Sequence, residues 1–174
     1  MSAGWKYDFT LTQTARVQVV FDWTLTFGYD YEWDEYGEMV VSLDGKETII
    51  ESLIGDGNGG ENHVASGNGQ TINWVGVSAG THTIALGIYN NMKTSTSETA
   101  RVEIDNVIIT RFTSLSASSA APTASPLTSS PATFNPVNII VDANFEEDTE
   151  GFVYQDDTFK VKFFLSCFCC IGCN

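Results

Sequence analysis

The sequence predicts an all-β protein: a two-sheet antiparallel sandwich of jelly-roll type, followed by a disordered linker and a partial second repeat. About seven segments between positions 4 and 112 alternate apolar and polar residues with the period of a half-buried strand. Turn signals such as Asp44-Gly45 separate these segments, and no stretch has a helical period of useful length. Short strands of this number and spacing are typical of sandwiches, in which two sheets cover each other's apolar faces.

Each predicted strand follows from a short alternating segment. GWKYDFTL and RVQVVFDWTLTF place rings and aliphatic side chains at alternate positions, which predicts two strands with one face in the core. EMVVSLDGKETII predicts two strands around Asp44-Gly45, because this dipeptide tolerates the positive φ angles of a type I′ turn. GQTINWVGV, GTHTIALGIYN and ARVEIDNVIITRF predict the remaining strands. We expect Trp23, Trp74 and some of the tyrosines to lie in the core.

Composition divides the chain into three parts. Residues 1–111, with 15 acids and 6 bases, form the predicted sandwich module. Residues 112–137 contain no charged residue and are mostly Ser, Thr, Ala and Pro, which favours an extended linker without a core. Residues 138–174, with 7 acids and 2 bases, predict the start of a second repeat. They end in a tail that contains all the cysteines: Cys167, Cys169, Cys170 and Cys173.

These cysteines are too close together for two unstrained disulfides. A zinc-like grouping, lipidation and read-through into non-native sequence remain open explanations, and the tail receives no predicted function.

The charge limits the partners that the chain can have. Its net charge of −14 predicts no nucleic-acid partner, because the phosphates would be repelled. No apolar run reaches the roughly 18 residues of a membrane span, so we expect none. No charged and apolar leader follows Met1, so the sequence predicts no export signal in the chain as printed.

Five stretches in a fixed order carry a family resemblance. They are GWKYDFTLTQTARVQVVFDWTL, YEWDEYGEMVVSLDG, GDGNGG, AGTHTIALGIYNN and VEIDNVIIT, and together they cover roughly residues 4–111. The order resembles the jelly-roll repeats of large extracellular bacterial and algal proteins, which are similar to carbohydrate-binding modules with a galactose-binding-like fold. The resemblance implies a non-catalytic carbohydrate-binding or adhesion module in an extracellular or cell-surface protein. It also implies a polysaccharide or glycoconjugate as partner, together with neighbouring repeats of the same protein; the alternative is a purely structural surface repeat.

Relative to that family, the chain is arranged out of order. Such repeats begin some 40 residues earlier, and the module 1–111 therefore lacks its usual N-terminal strands. Residues 143–159, ANFEEDTEGFVYQDDTF, resemble the missing opening, so the chain resembles a truncated tandem-repeat fragment. We expect residues 145–159 to dock onto the sandwich 4–111 as a circularly permuted completion. On this hypothesis 112–137 and 166–174 stay loose.

The stretch YDYEWDEYGE, residues 29–38, contains four aromatic rings, five carboxylates and no base. Apolar sugar faces stack on flat rings while neighbouring polar groups bind the hydroxyls, so this composition predicts a sugar site. Tyr31 and Trp33 are expected to be the most exposed rings, because they fall where the chain crosses between two strands. The predicted ligand-binding residues are Tyr29, Tyr31, Trp33, Tyr36, Tyr89 and Asn90.

The same carboxylates predict a Ca²⁺ site. Hard cations bind several oxygens from acids and backbone carbonyls, and the glycine-rich stretch 55–70 is expected to be a loop that supplies carbonyls. No EF-hand spacing occurs, so the site would be assembled from separate loops. The predicted ligands are Asp34, Glu35 and Glu98, with Asp56 as a weaker candidate, and solvated surface acids are the alternative.

A glycan-cleaving enzyme is the less favoured hypothesis. Glu32 and Asp34, placed two residues apart on one strand, would lie about 6 to 7 Å apart, within the range that glycosidases use. Neither His63 nor His82 follows the pattern of a nucleophilic triad. We therefore expect no enzymatic activity.

Overall fold

The computed structural model describes residues 2–57, 60–114, 134–143 and 153–156, the last two ranges as backbone strands. These residues form two antiparallel sheets packed as a sandwich, which confirms the predicted all-β fold. The strands are β1 Ser2–Leu11, β2 Ala15–Phe27, β3 Tyr36–Leu43, β4 Lys46–Ile54, β5 His63–Val77, β6 Gly80–Asn90, β7 Ala100–Ser114, β8 Phe134–Ala143 and β9 Val153–Asp156.

One sheet has the order β4-β3-β6-β1-β9 and the other has the order β5-β2-β7-β8. Within the described ranges, no helix is long and apolar enough to cross a membrane.

The core lies between the two sheets and follows the alternation of the sequence. Along β2 every second residue is buried, and Val17, Val19, Phe21 and Leu25 have no exposed surface. Each large apolar side chain buried in this way contributes about 1.5 to 3 kcal/mol relative to an exposed one. Trp23 is 7% exposed and belongs to this core, as predicted, and other members come from β1, β3, β6 and β7.

Strands β3 and β6 are buried on both faces. Met39 and Val41 of β3 point into the main core, whereas Val40 packs with Ala85 and Tyr89 in a second apolar cluster on the opposite face. Both strands lie in the interior of their sheet, so each is flanked by hydrogen-bonded neighbours. The rings that this sheet carries are therefore less accessible than period-two alternation alone would suggest.

Short turns lie at one end of the sandwich and longer loops at the other. At the short end, Asp44 and Gly45 have φ angles of 52° and 75° and join β3 to β4, which confirms the predicted hairpin. At the opposite end, residues 28–35 connect β2 to β3, residues 55–62 connect β4 to β5, and residues 91–99 connect β6 to β7. We call this the loop end.

Two predicted boundaries are wrong. The glycine-rich stretch 55–70 is not all loop, because β5 begins at His63 and pairs with β2. The predicted linker 112–137 is paired at both of its ends, because β7 continues to Ser114 and β8 begins at Phe134. At the first of these ends, the Phe112 ring packs under the Arg16 guanidinium at 4.0 Å, so the apolar pattern of β7 extends past the predicted boundary.

The described parts of 138–174 extend the two sheets of the module. Strand β8 pairs with β7 from Phe134 to Ala143, and β9 pairs with β1, with Tyr154 opposite Trp5. Three parts of the chain lie outside the described residues: 115–133, the remainder of the docking segment 145–159, and the cysteine-rich tail.

Candidate functional site

Backbone hydrogen bonds join the loops of the loop end to one another. The amide of Gly55 donates to the carbonyl of Glu35 at 2.9 Å, and the amide of Gly57 donates to the carbonyl of Tyr31 at 3.1 Å. A Cβ at Gly55 would overlap the carbonyl oxygens of Tyr31 and Glu32, so only glycine allows this close approach. The loop 28–35 and the described residues of 55–62 are therefore in contact.

Tyr31 is buried, and its predicted exposure is wrong. The side chain is 1% exposed, and its ring stacks on Phe27 with centroids 3.7 Å apart. The amide of Asn90 donates a hydrogen bond to its hydroxyl oxygen at 2.8 Å. Burial, with a further contribution from the nearby Glu98 and Glu35 carboxylates, raises the pKa of Tyr31 to about 12. A stacking partner inside the sandwich keeps this ring away from solvent and from any glycan.

Tyr89 and Asn90, which the sequence predicts to contact the ligand, are also buried. They are 2% and 5% exposed because they end β6, an interior strand of its sheet. Tyr36 is half-buried, and its ring lies 6.2 Å from that of Tyr89. These residues support the loop end from below.

Trp33 and Tyr29 are the two predicted rings that reach solvent. Trp33 is 75% exposed and Tyr29 is 49% exposed. The indole of Trp33 lies against the backbone of Gly57, where a Cβ would collide with it, and Gly57 has a φ of 93°. The amide of Tyr29 donates to the side chain of Asn62 at 3.2 Å. Both aromatic residues are thus held against the same neighbouring loop.

Three glutamates meet beside these rings. One carboxylate oxygen each from Glu32, Glu35 and Glu98 lies within 4.8 Å of the other two, and we call this group the glutamate cluster. Glu35 and Glu98 are completely buried, and Glu32 is half-buried. The cluster contains two of the three predicted metal ligands. The third predicted ligand, Asp34, does not belong to this group.

Local backbone geometry selects Glu32 instead of Asp34. The amide of Glu35 donates to the carbonyl of Glu32 at 3.1 Å, so the chain turns within 28–35 instead of extending as a strand. The turn brings side chains three residues apart to one side and leaves Asp34 exposed. The same turn removes the strand geometry on which the hypothetical catalytic pair Glu32 and Asp34 depended.

Hydrogen bonds satisfy only part of the cluster. Glu35 Oε2 accepts the amide of Glu32 at 2.8 Å, and Glu98 Oε2 accepts the amide of Thr94 at 2.7 Å. The Thr94 hydroxyl lies 3.1 Å from Glu98 and 3.2 Å from Glu32, but its one hydrogen can serve only one acceptor at a time. Glu35 Oε1 is buried and has no hydrogen-bond partner.

Burial raises the pKa of Glu35 above its usual range. A side-chain hydrogen bond with Glu32 and the charges of Glu98 and Glu32 act in the same direction, while the hydrogen bond from the Glu32 backbone amide opposes them. The causes that raise the pKa reflect a carboxylate that is removed from water and placed among other acids. A proton or a cation would relieve this repulsion.

Asp56, the weaker candidate ligand, and the two histidines lie outside the cluster. Asp56 Oδ2 lies 3.4 Å from His63 Nε2, in a partly exposed pair near the start of β5. His82 lies at the short-turn end, where it contacts Asp44 at 2.8 Å and the carbonyl of Ser78 at 2.9 Å. Neither histidine lies in the glutamate cluster.

Thr94, Asn91 and the two loop glycines position the candidate site, and sequence reasoning missed them. Asn91 accepts the amide of Tyr36 at 2.7 Å and donates to the carbonyl of Asp34 at 2.8 Å, and so connects 91–99 to 28–35. Only the composition of the loops, rich in Gly, Asn and Thr, pointed towards such contacts. Comparison with family models, with curated proteins and with solved structures finds no match to this chain.

Proposed function

We propose that this protein is a non-catalytic carbohydrate-binding or adhesion module whose glycan site is the loop end. Trp33 would stack on an apolar sugar face, and Tyr29 would provide a second ring. The main support is the 75% exposure of Trp33, an unusual position for a large apolar ring. A partner that covers this ring would recover the burial that the fold itself does not provide.

The surroundings of the rings fit a polar, hydroxyl-rich ligand. The side chains of Asp34, Glu61 and Asn62 are exposed on the adjoining loops and can exchange hydrogen bonds with hydroxyl groups. Trp33 is also positioned by Gly57, so its orientation costs little entropy on binding. The proposed partner is a polysaccharide or glycoconjugate, in an extracellular or cell-surface setting with neighbouring repeats of the same protein.

A purely structural surface repeat is the second candidate. The burial of Tyr31 and Tyr89 favours it, because two of the five rings predicted to bind stabilise the sandwich instead. Such a repeat would need no exposed ring at the loop end. Trp33 and Tyr29 therefore discriminate between the two functions.

A glycan array probed with the full chain, followed by titration of the best-bound glycan, tests the proposal. Trp33→Ala should weaken binding by about 1 to 3 kcal/mol, or roughly 5- to 150-fold, because it removes the stacking ring. Tyr29→Ala should have a smaller effect. Val75→Ala is the matched control, because Val75 is 77% exposed but lies near the short-turn end of β5.

Two outcomes would count against this function. Absence of binding to any glycan, with divalent cations supplied, would favour the structural repeat. Equal binding by wild type and Trp33→Ala would place a glycan site somewhere other than the loop end.

A further inference from the structure

The glutamate cluster concentrates negative charge in buried surroundings. Glu35 and Glu98 are completely buried, and one carboxylate oxygen of each lies within 4.8 Å of the other and of one from Glu32. A buried carboxylate without a compensating charge is strongly unfavourable in water-excluded surroundings. A fold that places three carboxylates together therefore favours the binding of a proton or of a cation.

The orphaned oxygen of Glu35 points to where that partner binds. Glu35 Oε1 is the member of the cluster that accepts no hydrogen bond, although the side chain has no exposed surface. Buried carboxylate oxygens are almost always hydrogen-bonded or bound to a metal. The hydrogen bonds from Glu32 and Thr94 hold the other oxygens of Glu35 and Glu98 in place. The free oxygen and its neighbours thus form a preorganised acceptor set.

Distances within the cluster match a coordination sphere. Ligand oxygens bound to Ca²⁺ lie about 2.3 to 2.6 Å from the ion, so two of them can be at most roughly 4.6 to 5.2 Å apart. The limit of 4.8 Å among Glu32, Glu35 and Glu98 falls within this span. Magnesium demands shorter, octahedral contacts, whereas calcium accepts irregular sets of carboxylates from flexible loops.

We propose that Glu32, Glu35 and Glu98 bind one Ca²⁺ ion that joins the loop 28–35 to the loop 91–99. The ion replaces the repulsion between the carboxylates with shared coordination, and it fixes the loop that carries Trp33. This site goes beyond the proposed carbohydrate binding and does not depend on it, because a structural repeat could use the same ion.

Calorimetric titration of the full chain, after removal of metals with a chelator, provides the test. Ca²⁺ should bind at pH 7.5 with one site per chain and more tightly than Mg²⁺. Glu35→Gln and Glu98→Gln should each weaken Ca²⁺ binding by at least about 10-fold, because each removes a charged ligand. Terbium luminescence displaced by Ca²⁺ gives an independent readout of the same site.

Asp34→Asn is the matched control. It removes one charge from the same loop but leaves the glutamate cluster intact. Ca²⁺ affinity should therefore change less than about 3-fold, because an exposed charge is screened by salt. Circular dichroism in the presence of chelator tests whether each variant is folded. If Glu35→Gln or Glu98→Gln is not folded, Glu32→Gln takes its place in the titration.

Three results would overturn the proposal. Wild type could bind no Ca²⁺, or it could bind Mg²⁺ more tightly. Alternatively, Ca²⁺ affinity could be unchanged in both Glu35→Gln and Glu98→Gln, whatever the effect of Asp34→Asn.

Discussion

Glu35→Gln should stabilise the metal-free protein, which is unusual for a substitution at a fully buried position. The amide oxygen of glutamine can still accept the hydrogen bond from the amide of Glu32, now made by Glu35 Oε2 at 2.8 Å. The amide nitrogen would replace the orphaned Oε1 and could donate to the carboxylate of Glu32 or Glu98. The variant thus removes a repelled charge and adds a donor where acceptors are in excess.

The magnitude follows from the unsatisfied atom. A buried acceptor without a partner costs about 1 to 3 kcal/mol, more if charged, and this cost is what the variant relieves. We therefore expect the free energy of unfolding of Glu35→Gln to exceed that of wild type by about 1 to 3 kcal/mol at pH 7.5 in chelator. For a domain of this size, the melting temperature should rise by roughly 3 to 10 °C.

The effect should depend on pH in a defined direction. Because the pKa of Glu35 is raised in the folded state, its contribution to stability is fully present below its ordinary pKa and is lost as the pH rises through the folded pKa. The difference between variant and wild type should therefore be small near pH 4 and grow towards neutral pH. Saturating Ca²⁺ should reverse it, since only wild type keeps the full ligand set.

Urea unfolding followed by tryptophan fluorescence, with and without chelator, measures these differences. Asp34→Asn controls for the general benefit of removing one charge from an acidic chain, and it should change stability by less than about 0.5 kcal/mol. A Glu35→Gln variant less stable than wild type in chelator at pH 7.5 would refute the reasoning, because it would mean that the Glu35 carboxylate is already compensated.

Three other substitutions test the fold around the site. The hydrogen bond that the His82 ring donates to the Asp44 carboxylate, opposed by burial, raises the pKa of His82. This pair should therefore stabilise the protein below the ordinary histidine pKa and lose its effect as the pH rises through the raised pKa; Asp44→Asn should flatten that dependence in urea titrations from pH 5 to 9. Gly55→Ala should cost about 1 to 3 kcal/mol in unfolding free energy through its overlap with two carbonyls; an unchanged melting temperature would contradict this. Trp33→Ala should lower the free energy of unfolding by at most about 1.5 kcal/mol, because little of the ring is buried. Phe21→Ala should lower it by about 3 to 5 kcal/mol, because Phe21 is completely buried. Equal decreases in the melting temperatures of the two variants would show that Trp33 is structural.

The strands and the main core could be read from the sequence because their signals are local. Alternation with period two along β2 forces Val17 to Leu25 onto one face, and the only available apolar surface is the opposing sheet. The Asp44-Gly45 turn was equally predictable, since few residues tolerate positive φ at both positions. These features depend on neighbours in the chain and on burial alone.

The membership of the candidate site was decided by tertiary structure. No periodic constraint acts on 28–35, so the sequence could not show that a turn would place Glu32 beside Glu35 and leave Asp34 outside. Tyr31 and Trp33 are both aromatic and have the same parity in the sequence. Phe27 nevertheless stacks on the ring of Tyr31 in the interior, whereas the ring of Trp33 lies against Gly57 and is exposed to solvent.

Glu98 reaches the cluster only because β6 returns the chain to the loop end, far along the sequence from Glu35. Apolar alternation thus determined which segments form the sandwich. The packing of loops at one end determined which carboxylates meet and which ring remains exposed, because those contacts join residues that no local pattern connects.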